Sequence, residues 1–218
     1  GFGGNTSCVQ VTTDDGGEFI LDAGTGIREL GQALAGRCKR IHLLLTHLHL
    51  DHIQGLMFFA PLFDPEVEVT VWGPPSAGRS LRKRLARYIS SPLSPIEIGE
   101  LPAKVTFENV PGARWSIDGI EVGAALISRR GVTLGYRLSE NGASLAYLPD
   151  HEPGLGQPLA TSNPRWISGR TLARNASALL HDGQYTDAEY PARRGWGHSA
   201  LSDTLTFAQR NEAQRLLL

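Results

Sequence analysis

The sequence predicts an α/β protein of the four-layer αβ/βα kind, with two β-sheets packed face to face and helices outside. Three observations predict it. Strand-like runs accumulate in both halves of the 218 residues, helical spacings fall between them, and Ile41 to Leu45 is short and almost wholly apolar, as a buried strand requires. The length suits one domain with a substantial core, and no stretch is long and polar enough to act as a linker, so a single domain over 1–218 is expected.

In chain order, Cys8 to Thr13 alternates, Gly16-Gly17 turns, and Glu18 to Leu21 resumes, which reads as a β-hairpin. Ile27, Leu30 and Leu34 recur at helical spacing. Ile41 to Leu45 then leads straight into a histidine-rich segment, and apolar character returns from Ile53 to Phe59, where a helix is expected until Pro61 stops it. Val67 to Trp72 reads as a strand. Ser76 is expected to cap a helix reaching about Ile89, with Leu81, Leu85 and Ile89 on one face and Arg79, Arg82, Lys83 and Arg87 on a solvated one. Lys104 to Val110, Gly119 to Ile127, Thr133 to Leu138 and Ser144 to Leu148 read as strands. Ala178-Leu179-Leu180 forms a core strand ending at His181-Asp182, Ser199 to Asn211 a helix, and Arg215 to Leu218 a strand entering the core. The single methionine is Met57, so Gly1 is not a translation start, and the chain is expected to be trimmed at both ends.

The 21 basic and 22 acidic residues nearly cancel, so net charge argues for neither a nucleic-acid nor a membrane partner. Cys8 and Cys38 are too few for a disulfide framework or a thiolate zinc site and read as core thiols of a cytoplasmic protein. No apolar run reaches the length of a membrane span. Metal ligands must therefore be histidine and carboxylate.

Such groups converge in Thr46-His47-Leu48-His49-Leu50-Asp51-His52. In an extended loop, residues two apart point the same way, so His47 and His49 suit one ion while Asp51 and His52 face a second. Imidazole with carboxylate suits zinc first, and also manganese or iron. A metal-free surface turn accounts poorly for this density of donors directly after a buried strand.

The segment His-x-His-x-Asp-His after an apolar strand resembles the signature of the metallo-β-lactamase superfamily. Gly3-Gly4-Asn5-Thr6-Ser7-Cys8, Leu21-Asp22-Ala23-Gly24-Thr25-Gly26, Gly135-Tyr136-Arg137, Tyr147-Leu148-Pro149-Asp150, Leu180-His181-Asp182 and Gly197-His198-Ser199 narrow the resemblance to the branch of ribonuclease Z and related phosphodiesterases. The resemblance implies that His47 and His49 bind metal one, Asp51 and His52 bind metal two, and Asp150 bridges both. It implies a proton-transfer pair in Asp182 and His198, which with Asp51 complete the catalytic set, and a structural role for Asp22. Two ions about 3.5 to 4 Å apart would share a hydroxide and stabilise charge on a phosphoryl oxygen.

Two departures stand out. The family places a metal-binding histidine shortly before the Gly-Tyr-Arg strand, where this chain has Ser128-Arg129-Arg130-Gly131, and another beyond the strand that here ends at Leu218. A guanidinium has no lone pair to donate, so Arg129 either points toward the substrate to clamp an anionic oxygen or, the favoured expectation, turns away and leaves a coordination position to water. His151 reads as a solvated loop residue and His42 as a structural one. The expected function is metal-assisted hydrolysis of an anionic small-molecule, nucleotide or RNA phosphodiester, with no membrane partner and a homodimer compatible with the sequence. The alternatives are a carbonyl substrate (lactone, thioester or β-lactam) on the same site, and a non-catalytic binding protein with a degenerate one.

Overall fold

The computed structural model describes residues 3–155, 157, 159 and 161–218. The chain forms two compact units, Gly1–Val110 and Pro111–Leu218. The first holds a five-stranded sheet in the order β1-β2-β3-β4-β5, built from β1 (Val9–Thr12), β2 (Glu18–Leu21), β3 (Arg40–Leu44), β4 (Glu68–Gly73) and β5 (Lys104–Asn109). The hairpin is as expected: β1 and β2 pair antiparallel with Val9 opposite Leu21, and the Gly17 amide donates to Thr13 Oγ1 at 2.8 Å to close the turn.

Helix α1 (Ile27–Leu34) then carries the chain back, so that β3 lies parallel to β2. A parallel pair needs such a crossover. β4 and β5 continue in parallel, leaving β3 central with a paired strand on either side, which accounts for its almost wholly apolar run. Ile20, Ile27, Ile41, Leu43, Phe59 and Val69 share one buried cluster. Truncating any of these to alanine is expected to cost about 2–5 kcal/mol.

Two helices differ from expectation. The helix predicted over Ile53 to Phe59 is instead a short α2 (Leu50–Ile53) followed by 3₁₀ turns at Leu56–Phe58 and Ala60–Phe63. Pro61 lies in the first turn of the second of these and ends nothing, since a helix start leaves its missing N–H without consequence. The helix expected from Ser76 is only α3 (Leu81–Leu85), capped by Ser80, whose hydroxyl accepts from the Lys83 amide at 3.3 Å. Arg79, Arg82, Lys83 and Arg87 are exposed.

The second unit holds a six-stranded sheet in the order β11-β10-β9-β8-β7-β6. β6 (Arg114–Ile117), β7 (Ile120–Leu126), β8 (Leu134–Glu140) and β9 (Ala143–Leu148) form an antiparallel meander. Two of its turns are Asp118-Gly119 and Asn141-Gly142, all four residues at positive φ, the dipeptides that match hairpin twist. β6 was not expected, because its four residues offer too short an alternation. After helix α4 (Arg170–Ala173), β10 (Ala178–His181) joins parallel to β9, and after α5 (Leu201–Arg210), β11 (Leu216–Leu217) joins parallel to β10. Leu148, Leu172, Leu179 and Phe207 share this unit's core. Leu217 and Leu218 are 44% and 69% exposed, so the terminal run is an edge strand and not the core strand expected. No helix among the described residues is long and apolar enough to cross a membrane.

Candidate metal centre

In the first unit, the carboxyl ends of parallel β2 and β3 deliver Asp22 and the segment 46–52, the position where open parallel sheets present ligands. His47 and His52 are buried while His49 and Asp51 are exposed. The extended geometry expected of the whole motif holds only to His49, the N-cap of α2; Asp51 and His52 lie on its helical turn. The four side chains nevertheless cluster, with ring centroids of His47 4.2 Å from His52 and 4.7 Å from His49. His52 Nε2 lies 3.6 Å from Asp51 Oδ2.

Asp22 organises this cluster. Its carboxylate accepts the Thr46 amide at 2.7 Å and the Thr46 hydroxyl at 2.8 Å, and it pairs with His52 Nδ1 at 2.8 Å. The single Thr46 hydroxyl hydrogen being directed to Asp22, the 3.0 Å contact between Thr46 Oγ1 and His47 Nδ1 makes the imidazole the donor. Both rings are thereby fixed with hydrogen on Nδ1 and a lone pair on Nε2. A carboxylate that orients a histidine in this way is the usual companion of a metal-binding imidazole, so the donor set fits a divalent ion. Gly24 lets the segment approach: a Cβ there would lie 2.6 Å from the Asp51 carbonyl oxygen. The structural role expected of Asp22 is thus specific, and Thr46 is a participant the sequence reading missed.

In the second unit, the ends of β9 and β10 and the loop before α5 bring Asp150, Asp182 and His198 together, with one ligating atom of each within 4.8 Å of the others. Asp182 is heavily engaged: Oδ2 accepts the His151 amide at 3.0 Å and His198 Nδ1 at 2.7 Å, while Oδ1 accepts the Gln184 amide at 2.9 Å. It therefore orients His198 and has little left for an ion. His198 Nε2 faces Asp150 Oδ2 at 3.9 Å. Burial acts to lower the His198 pKa, but the hydrogen bond and charge of Asp182, with the charge of Asp150, outweigh it and raise the value overall, Arg129 opposing them.

Two expectations fail here. Arg129 does not turn away: its Nη2 lies 2.6 Å from Asp150 Oδ2, both side chains 7% exposed, because a buried carboxylate draws the nearest fixed cation. His151 is fully buried, not solvated. Its Nδ1 lies 2.9 Å from His181 Nε2, and His181 Nδ1 donates to the Asp182 carbonyl at 2.7 Å. Burial holds both rings neutral, lowering His181 to about 4 and His151 well below its usual value, the latter with help from its neighbour. Glu152 was also missed. Its carboxylate accepts from Tyr190 Oη at 2.8 Å and from the amides of Gly195 at 2.8 Å and Gly197 at 2.9 Å, anchoring the loop that presents His198. His-Glu after Asp150 gave no periodic signal that would have distinguished it from a surface turn.

The chain belongs to the β-lactamase superfamily domain family, whose model matches residues 18–218. Its relatives include ribonuclease Z proteins. Ribonuclease Z of Mycobacterium sp. (strain KMS) is 30% identical over 188 aligned residues, covering 76% of this chain and 58% of the relative. Ribonuclease Z of Mycobacterium avium (strain 104) is 28% identical over 179 residues, covering 75% and 59%. The chain thus spans somewhat under two thirds of these relatives' length. Among solved structures, human tRNase Z, short form, aligns with a TM-score of 0.69 at 22% identity, covering 97% of this chain and 84% of that one. A diphosphatase of the PhnP family aligns at 0.64 and 22% identity, covering 97% and 73%. The fold is accordingly the metallo-β-lactamase fold, the αβ/βα class expected.

Proposed function

We propose that the protein is a metal-dependent hydrolase acting on a phosphodiester. The observation that carries this reading is the tautomer-locked pair His47 and His52, held by Asp22 and Thr46 so that both present Nε2. Together with His49 and Asp51 they form a nitrogen-rich donor set for which zinc is the preferred ion, with manganese or iron as alternatives. When bound, such an ion supplies Lewis acidity toward a phosphoryl oxygen and a water that ionises near neutral pH. The chain's own contribution is positioning. His198, oriented through Nδ1 by Asp182, directs Nε2 away from that carboxylate and holds a proton there for a departing alkoxide. Kinship with ribonuclease Z supports a phosphodiester, nucleotide or RNA, over a lactone, thioester or β-lactam.

A panel of a chromogenic phosphodiester, a lactone and a β-lactam tests the assignment. Turnover of the diester is expected, and hydrolysis of the lactone or β-lactam without it would reassign the substrate class. His47→Ala and Asp51→Ala should each remove activity by orders of magnitude while circular dichroism stays unchanged. Full activity in either variant, assayed without added metal, would overturn the hydrolase mechanism.

A further inference from the structure

We propose that Arg129 stands in for a cation at Asp150, so that this chain takes one divalent ion, at the histidine motif of its first unit, where the family resemblance implies two. The inference rests on the metal-hydrolase reading and changes its stoichiometry. The family resemblance assigns the Asp150 carboxylate to both ions. In this chain Asp150 Oδ2 already has Arg129 Nη2 at 2.6 Å, in surroundings that leave each side chain only 7% exposed. A guanidinium keeps its charge at any working pH, so the carboxylate is neutralised permanently. A divalent ion approaching that oxygen meets a like charge at contact distance in a poorly solvated place, and must displace the arginine to bind.

Displacement is opposed from several sides. The backbone on the arginine's N-terminal side is pinned: the Ser128 amide donates to Ser168 Oγ at 2.7 Å, and the Ser128 carbonyl accepts the Glu152 amide at 3.0 Å. Gly197, at φ +94, packs so tightly on the arginine stem that a Cβ there would lie 2.6 Å from Arg129 Cγ and 3.2 Å from its Cα. That glycine is itself held, its amide donating to Glu152 at 2.9 Å, while Arg130 Nε donates to the Gly195 carbonyl at 2.9 Å. The guanidinium is therefore built into the site. It has not merely swung there as a surface side chain can. His198 Nε2, 3.9 Å from Asp150 Oδ2, shares the same carboxylate and stays available as a proton donor. In the second unit the cation at Asp150 is thus a covalently tethered one.

Elemental analysis of the full chain, loaded with zinc and dialysed against metal-free buffer, tests this. One zinc per chain is expected in the wild type and two in Arg129→His, which restores an imidazole where the motif has one. If Arg129→His does not fold, Arg129→Gln keeps the test open: removing the charge frees Asp150, and calorimetric titration with Mn²⁺ should show a second binding event absent from the wild type. Two zinc ions in the wild type would overturn the proposal and leave the hydrolase reading standing. A ratio of one that neither substitution raises would do the same. No zinc in the wild type or in Arg129→His would overturn both.

Discussion

Asp22 shows how much a single side chain decides in this protein. It sits at φ 60, a conformation that costs an ordinary residue about 1–2 kcal/mol, and is fully buried with a carboxylate that pairs with His52 and takes both hydrogens offered by Thr46. The strain is tolerated because the same geometry fixes the two histidine tautomers. Asp22→Asn keeps the shape but presents an amide nitrogen where an acceptor is needed, so one of these contacts becomes donor against donor. Metal affinity is expected to fall about 10–100-fold, read by competition with a chromophoric chelator, with the fold retained. Unchanged affinity would reduce Asp22 to a packing residue.

At the level of elements, His198 is held by a loop and the loop by a buried glutamate. The segment 195–200 has little regular structure of its own. Glu152 supplies its anchor through two amides and the Tyr190 hydroxyl, Ser199 Oγ donates to the His151 carbonyl at 2.6 Å, and Tyr185 and Ala200 form a lone parallel bridge. Glu152→Gln, which touches neither His198 nor a ligand, is expected to lower turnover by about tenfold and to speed amide hydrogen exchange at Gly195 and Gly197. His198→Ala should cost more, about 10²–10⁴-fold, with metal content unchanged. If Glu152→Gln speeds exchange without slowing turnover, loop position is not limiting.

For the molecule as a whole, acid should unfold the chain partly through the buried histidines. His181 titrates near 6.5 when unfolded and near 4 when folded, because burial disfavours its charged form. Between those values the unfolded chain binds the proton and the folded chain does not. Stability is therefore complete above pH 6.5 and declines as pH falls toward 4, by up to about 3 kcal/mol from this residue. His198, raised in the folded state, contributes stability that is already complete below pH 6.5, so it adds no slope in that window. Denaturant midpoints measured on the metal-free protein from pH 7 to 4.5 should fall; a midpoint that rises instead would mean the histidine pair is not held neutral.

The sequence by itself determined the elements whose residues interact with near neighbours. The hairpin, α1, the buried β3 and strands β7, β8 and β9 of the meander follow from periodicity, and the ligand motif from donor density directly after an apolar strand. In the folded chain the His47 ring lies against those of His49 and His52, and His198 pairs with Asp182. Tertiary structure alone decided what depends on partners distant along the chain. Asp22 reaches Thr46 and His52 across 24 and 30 residues, and Glu152 reaches Gly197 across 45. His151 is buried only because β9 and β10 lie side by side and bring its ring to His181. Arg129 turns inward for the same reason, since the carboxylate that draws it is 21 positions further on, where no local pattern registers it. Backbone propensity and hydrophobic spacing are local and additive enough to read from a string. The pairing of buried charges depends on which groups are left without water, and only the folded chain sets that.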